Sequence, residues 1–393
     1  VGLRATTEFG PIISAGLGGV EMEILARQTR KGAAVAIAPT GTTDGARFFE
    51  YFRNTLSYDR LSGAMRGSRR LLEDAILVRC FQGFIDLANH FSAVNPEARF
   101  HLEELEVNPI VAAGGRMAPV DGVCRFRPAT SAREPRPVDK LHSLLQPRSA
   151  AVIGVSAHDR NMGRIILGNM LAAGFDRERL HVVHPQADAI DDVNCVASVA
   201  ALPNKVDLLV VAVGADRVEA VIDEVIDEDK AQSVILIPGG IGEKRGSRAL
   251  EAELMDRIRR AHLTADGGPL FLGGNSLGVI SRPGRYDTMF IPEAKLPKSR
   301  GGEPQPLCFI SQSGAFIIST LSDEPWLDPR YALSIGNQID LTAGDLLSFL
   351  ADDSGTEVFA VYVEGFRPDD GLAFATAVKR AVAQGKDVVF YKA

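Results

Sequence analysis

"AAVIGVSAHDRNMGRIILGNML", residues 150–171, decides how this chain folds. Apolar residues run up to Gly154, a polar stretch follows, and from Met162 apolar positions recur at helical spacing. The pattern is strand, glycine turn, helix. Gly154 ends the strand and Gly163 enters the helix, where backbone amides can approach a pyrophosphate and the helix N-terminus favours its charge. The spacing is not Gly-x-Gly-x-x-Gly: Ser156 takes the second glycine position and the loop is longer. The next strand, "LHVVHP", ends in His184-Pro185, where a nicotinamide-binding fold places an acidic residue on the ribose hydroxyl. Both departures count against a nicotinamide oxidoreductase.

Working outward, "VDLLVVAVG" (206–214), "QSVILIPGG" (232–240) and "PLFLGGNSLG" (269–278) are short, nearly all-apolar runs. Helical patterns such as "RVEAVIDEVIDED" and "SRALEAELMDRIRRAH" separate them. Such strands, each followed by a helix, predict a parallel sheet covered on both faces. A second series begins near Leu307: "LCFISQSG", "YALSIGN", "VFAVYVEG" and "DVVFYKA". A Pro- and Gly-rich stretch at 284–305 divides the two series. Residues 127–147, rich in Pro, Arg and Ser without sustained periodicity, read as a linker. The expected domains are therefore 1–126, of another type, then α/β units at 148–285 and 286–393.

The second unit opens with "LCFISQSGAFIIS", residues 307–319, which sets two hydroxyls and a glycine at the tip of a buried strand. A hydrolase elbow reads Gly-x-Ser-x-Gly. Ser313 has Ser311 two residues before it and Ala315 two after, and Ser311 is flanked by Phe309 and Ser313. Neither serine is a nucleophile by this pattern. A helix starting at "SGAFIISTL" instead offers free amides and hydroxyls to an anion.

Composition excludes other classes. The net charge of −7 gives no basic footprint for nucleic acid, and no apolar stretch is long enough to cross a bilayer. Cys80, Cys124, Cys195 and Cys308 are scattered without Cys-x-x-Cys spacing, which suggests neither zinc nor disulfides. They are expected to be small buried hydrophobes in a reducing, cytoplasmic setting. The chain opens without Met or signal peptide and closes on a strand-like run, so a fragment of a longer polypeptide is expected.

"VIGVS…MGRIILGNML", "VHP", "VDLLVVAVGAD", "ILIPGGIGE" and "GGNSLGVIS", in this order, resemble the CoA-binding domain of the NDP-forming acyl-CoA synthetases. This is the family of succinyl-CoA synthetase and ADP-forming acetyl-CoA synthetase. The resemblance implies that Gly154, Val155, Ser156 and Gly163 line the CoA phosphates. His184-Pro185 stands for the family's Asn-Pro, Val213 flanks CoA at a strand end, and Asn275 and Ser276 lie near the thiol. Gln186 stands where a basic residue often meets a CoA phosphate, and Gly274 replaces proline. Either CoA binding is weaker here, or Arg160 or Arg164 compensates. His158 is within the same loop and could touch CoA.

Ser311, Gln312, Ser313 and Gly314 resemble the family's Ser-Gln-Ser-Gly motif, which caps one of two helices holding a phosphoryl group on histidine. "SIGNQIDLTAGDLLSFLADD" resembles the next motif and supplies Gly336, Asn337 and Asp340; "VYVEGF" supplies Glu364, like the glutamate that orients the reactive histidine. In the family that histidine follows a strand like "VVFYKA", so it is expected beyond Ala393. His90, His101, His142, His158, His181, His184 and His262 do not sit in that context.

"FGPIISAGLGG" with Glu23, then "LEELEVNPI" and "APVDG", resemble the C-terminal half of an ATP-grasp domain. Glu106 and Asn108 alternate on a strand and so share a face. With Asp121 on the following strand-like run they form a hard oxygen set suited to Mg²⁺ carrying ATP or ADP phosphates. Gly16, Gly18 and Gly19 would be the loop near those phosphates.

The expected fold is α/β: a partial ATP-grasp lobe, a Rossmann-like CoA-binding domain, and a flavodoxin-like α/β domain. The expected function is ligation of a small carboxylic acid to CoA with ATP, through acyl-phosphate and phospho-histidine. The alternative is a CoA-sensing module without turnover. A homo-oligomer, or association with the missing synthetase parts, is implied; nucleic-acid and membrane partners are not.

Overall fold

The structure, a computed structural model, describes residues 1–18, 33–93, 95–129, 136–242, 247–292, 294–296 and 302–393. Gly19 and Glu23 lie outside the described residues. Contacts divide the chain into two units: Val1–Arg133 with Phe366–Thr376, and Glu134–Gly365 with Ala377–Ala393.

In the first unit, β1 (Gly2–Thr6), β2 (Gly10–Gly16), β3 (Val35–Pro39), β4 (Phe100–Val107) and β7 (Gly122–Pro128) pair antiparallel in the order β3-β2-β1-β4-β7. Strands β5 (Ile110–Ala113) and β6 (Arg116–Pro119) form a separate hairpin. Leu3, Ile13, Phe48, Phe52, Leu77 and Phe81 build the core between the sheet and the helices Gly45–Phe52 and Asp74–His90. Phe48 and Phe81 meet edge to face at 4.9 Å. The short segment Phe366–Thr376 joins this unit through the Asp369 amide on the Thr7 carbonyl (2.8 Å) and Phe366 against Phe9. Nothing in the sequence marks that attachment, because it rests on a short loop and the first turns of the helix Asp370–Ala383, where the Leu372 amide donates to the Glu8 carbonyl (3.2 Å).

The second unit contains two sheets. The first runs β8 (Ala150–Ile153), β9 (Leu180–Val183), β10 (Ala189–Ile190), β11 (Val193–Val196), β12 (Val206–Val211), β13 (Ala231–Leu236) and β14 (Leu270–Gly273), in spatial order β10-β11-β9-β8-β12-β13-β14. All neighbours are parallel except the β10–β11 hairpin. Omitting β10, this is the doubly wound order 3-2-1-4-5-6, which reverses between β8 and β12 and leaves a crevice at the carboxyl ends of those two strands. The apolar runs are explained by burial on both faces: Val152, Leu208, Val210, Ile235 and Leu272 are all inaccessible to solvent.

The second sheet is ordered β16-β15-β18-β17-β19-β20, from β15 (Val279–Ser281), β16 (Tyr286–Asp287), β17 (Gln305–Ser311), β18 (Pro329–Ser334), β19 (Val358–Val363) and β20 (Asp387–Lys392). Strands β18, β17, β19 and β20 are parallel, while β15 and β16 pair antiparallel at one edge. Thus β15, which the sequence places before the boundary at 286, pairs with β18 of the following sheet.

Residues 136–147 fall in the stretch that composition marks as linker, yet they fold against this unit. Leu141, Leu144 and Leu145 of the helix Leu141–Leu145 are buried, and their carbonyls are held by Tyr286 (2.6 Å to Leu144) and Ser281 (2.6 Å to Leu145). One helical turn is too short for a periodicity signal. Cys308 is buried, and burial pushes its thiol up; Cys124 is exposed, contrary to expectation, because β7 is an edge strand open to solvent. Among the described residues no helix is long and apolar enough to cross a membrane.

Candidate functional site

The turn after β8 lies where the strand order reverses. Gly154 adopts φ +96°, and a Cβ there would run into the Ala212 carbonyl on β12's extension; one on Gly163 would meet the Gly154 carbonyl and the Val155 amide. The helix Met162–Ala172 therefore begins in direct backbone contact with the strand end. Asn161 caps it: its Oδ1 accepts from the Arg164 amide (3.0 Å) and the Ser156 amide (3.2 Å), and its Nδ2 donates to the Gly154 carbonyl (2.7 Å). The Ser156 hydroxyl accepts from the Asp159 amide at 2.9 Å. The loop is held by its own side chains, while the first helical amides keep no intrahelical acceptor.

Arg164 crosses this loop. It donates to the Ala157 carbonyl (2.8 Å) and pairs with Asp191 at 2.6 Å. His158, Arg160 and Arg164, with Asp191, line a cavity of about 510 Å³ on the flank of the helix. Both arginines that could replace the missing basic residue at Gln186 thus stand together, one of them already paired with a carboxylate.

Val213 is buried beside the same switch point, just beyond β12. His184 directly follows β9, and its Nδ1 accepts from the amides of Gln186 (3.2 Å) and Ala187 (3.0 Å), so the ring closes the turn through Pro185. Beyond β14, Asn275 is exposed with φ +56°, against Gly239 of the neighbouring strand end.

Ser276 differs from expectation. It is buried, its hydroxyl donates to the Ser334 carbonyl (2.7 Å) and accepts from the Gly278 amide (3.0 Å), and so it joins the two sheets instead of facing a ligand. Ser276→Ala is expected to lower the stability of this unit by about 2 kcal/mol, because it strands a buried carbonyl and amide. CoA affinity should be unchanged; denaturant unfolding and calorimetric titration check the two halves.

The second cluster lies at the end of β17. Ser311 is fully buried and its hydroxyl donates to the Ser313 carbonyl (2.8 Å). Ser313 caps the helix Gly314–Asp323, its Oγ accepting from the Phe316 amide. Gln312 reaches sideways to β19's end, where its Oε1 accepts from the amides of Glu364 (2.9 Å) and Gly365 (3.3 Å). This bond fixes the Glu364 backbone at the end of β19, next to the end of β17; the residue is exposed. A helix N-terminus capped by Ser313 favours an anion at this strand end.

Asn337 stands between the two clusters. Its amide donates to the Gly274 carbonyl (2.8 Å) and its Nδ2 to the Ile241 carbonyl (2.8 Å), tying the two sheets together. Asp340 is buried and bonded to His262, Arg136 and the Phe271 amide. Nothing in the sequence signals that network, since Asp340 lies 78 residues from His262 and 69 from Phe271.

In the first unit, Glu106 is the last residue but one of β4 and accepts from Asn108 Nδ2 (3.0 Å); Asn108 lies just past the strand end, so a side-chain bond and not strand alternation brings the pair together. Both line a cavity of about 590 Å³ with Gly16, Gly18, Arg4 and Glu104. Asn108's amide oxygen lies against Gly18. Asp121 is not on a strand: its carbonyl accepts from the Asn108 amide (3.0 Å), but its carboxylate turns to the Gly122 amide (2.8 Å) and does not line the cavity. Among the described residues no group of three or more His, Cys, Asp or Glu side chains forms a metal cluster.

Two successive α/β sheets, each with a capped helix starting at a strand end, define a class, and comparison with known proteins gives it a name. Residues 148–273 match the family described as the CoA binding domain, and residues 304–393 match the succinyl-CoA ligase like flavodoxin domain. The chain is 26% identical over 396 residues to ADP-forming acetate–CoA ligase II of Archaeoglobus fulgidus, covering 100% of this chain and 53% of that protein. It is 30% identical over 262 residues to the α subunit of ADP-forming acetate–CoA ligase I of Pyrococcus furiosus, covering 64% of this chain and 52% of the subunit. Among solved structures, acetyl-coenzyme A synthetase 1 of Ca. Korarchaeum cryptofilum in complex with phosphate and ADP superimposes with a TM-score of 0.57 at 30% identity, covering 64% of this chain and 51% of that one. The chain is thus a relative of the ADP-forming acyl-CoA synthetases, and it spans about half the length of these relatives.

Proposed function

We propose that this chain is the CoA-binding and phosphoryl-handling part of an ADP-forming acyl-CoA synthetase, which converts acid, ATP and CoA to acyl-CoA, ADP and phosphate. The observation that carries the reading is the Gln312 clamp, which holds the Glu364 backbone against the end of β17, where the Ser313-capped helix begins. A structural turn has no need of a long side chain spanning two strand ends to present a carboxylate there. In this reading CoA lies over the switch point at Gly154, Val155, Ser156 and Gly163, with Val213 and Asn275 toward the thiol and Arg160 supplying charge. Ser313, Gly314 and the helix amides receive the phosphoryl group, and Glu364 orients the histidine that bears it. Donors aimed at a charged phosphoryl group before it arrives stabilise it without reorganisation.

The first unit would contribute part of the nucleotide-binding lobe of the ATP-grasp type, for which support is the match of the Archaeoglobus ligase over the whole of this chain. Glu106 and Asn108 present hard oxygens beside the Gly16–Gly18 turn and fit Mg²⁺; Asp121 would have to turn away from Gly122 to join them. When bound, Mg²⁺ neutralises nucleotide phosphate charge. A cytoplasmic location and association with the remaining synthetase parts belong to the same reading. The sensing-module alternative gains no support from relatives named as ligases.

Calorimetric titration of the chain with CoA and with NAD tests the proposal. CoA should bind with micromolar affinity, about −8 kcal/mol, and NAD not measurably. Equal affinity for both would overturn it.

A further inference from the structure

His262 ends the helix Arg248–His262 with its side chain only 5% exposed. Its Nδ1 lies 2.8 Å from the Gly267 carbonyl oxygen, and its Nε2 lies 3.1 Å from both carboxylate oxygens of Asp340. A carbonyl oxygen only accepts. Asp340 already receives the Phe271 amide (2.9 Å) and faces the Arg136 guanidinium (3.4 Å), so it is an acceptor as well. Both ring nitrogens therefore face acceptors, an arrangement that favours the imidazolium.

Asp340 sits in a segment that touches both candidate crevices. Ile335 donates to the Ser311 carbonyl (2.9 Å) and Gln338 Nε2 to the Gly365 carbonyl (3.2 Å), at the Glu364 side. Asn337 and Ile339 donate to the carbonyls of Gly274 and Gly273 (2.8 Å each), and Leu341 to that of Phe271 (3.0 Å), at the Asn275 side. We propose that His262 is a positioning residue: its cation, with Arg136, holds Asp340 and thereby the 335–341 segment, keeping the CoA crevice and the phosphoryl cradle in one mutual geometry. What the two crevices bind rests on the function proposed above.

The groups facing the ring are Asp340 from the bridging segment, Arg136 from the strap before β8, and the Gly267 carbonyl. Asp345 of the helix Ala343–Leu350 takes the other side of Arg136 at 2.8 Å, and Lys140 is turned to the carbonyls of Asp266 and Gly268. Burial by itself lowers the affinity of the ring for its proton. The Asp340 bond and charge and the Gly267 carbonyl outweigh burial and the Arg136 charge, and leave the pKa above the usual 6.5. A raised folded pKa means that the stabilisation is complete below 6.5 and is lost as pH rises through the folded value.

The test uses the 393-residue chain, unaltered and as His262→Gln and Asp340→Asn. Nitrogen-15 histidine NMR should show both ring nitrogens protonated at pH 7. Amide exchange, corrected for intrinsic rate, should lose protection together at Asn337, Ile339 and Leu341, by about tenfold, as the ring deprotonates; His262→Gln should show the low value at every pH. CoA affinity should weaken over the same pH interval in the unaltered chain and lose that dependence in His262→Gln. A histidine with only a packing role would change thermal stability without moving the pH profile of CoA binding. A neutral ring at pH 7, or a ring that titrates with protection unchanged, overturns the proposal. If His262→Gln does not fold, the pH titration of the unaltered chain reads the same transition. CoA failing to bind the unaltered chain at any pH would overturn the ligase reading, while NMR and exchange would still judge the role of His262.

Discussion

Gly154→Ala should reduce CoA affinity by at least about 100-fold and destabilise the second unit by about 3 kcal/mol. Two causes add. At φ +96° an L side chain is strained, and the new Cβ would press on the Ala212 carbonyl at the reversal of strand order. Relief requires the turn to move away from β12, which carries off the Gly154 carbonyl that Asn161 uses and with it the capped start of the helix. The amides that would meet the pyrophosphate then no longer converge. Calorimetric titration with CoA and urea unfolding measure the two effects. Gly168→Ala, on the same helix with open space around its Cβ, should instead stabilise by about 0.5–1 kcal/mol, since alanine is the better helix former. Undiminished CoA binding in Gly154→Ala would remove the switch-point crevice from consideration.

Gln312→Ala is the second substitution with a large expected effect. It removes the acceptor of the exposed Glu364 amide and the half-buried Gly365 amide, at a cost of about 1 kcal/mol since water can reach them, and releases the strand end that presents Glu364. Binding of inorganic phosphate, followed by phosphorus NMR, should weaken about tenfold or more. Glu364→Gln keeps both backbone bonds and should leave stability within about 0.5 kcal/mol. In a complete synthetase it should still abolish transfer of label from γ-labelled ATP to histidine. Normal labelling in Glu364→Gln would show that the carboxylate orients nothing.

How much was legible beforehand can be argued from particular residues. The central strands of both parallel sheets were visible because burial on two faces forces continuous apolar runs, as in "VDLLVV" and "VFAVYV", whereas β11, partly exposed, carries no such run. The cap at Ser313 was visible because a serine at the start of an apolar helical pattern has one economical use. The partners of Gln312 and Ser276 were not. A glutamine spanning to Glu364, 52 residues on, and a serine bonding Ser334, 58 residues on, leave no local pattern. The resemblance put Ser276 near the thiol, whereas its hydroxyl is consumed in joining two sheets. Asp121 likewise reads as an oxygen ligand by type, but its carboxylate is turned to its own neighbour's amide.

By itself the sequence determined the doubly buried strands, where the glycine turns between them fall, and that two series of such strands follow one another. Those properties follow from periodicity and from the backbone demands of single residues. Only the tertiary structure decided which polar groups remain open to a ligand and which are spent on one another. Hydrogen-bond capacity is finite, and it is allotted by neighbours in space: Glu364 keeps its carboxylate exposed because Gln312 takes its backbone, whereas Asp340 surrenders its own to His262 and Arg136.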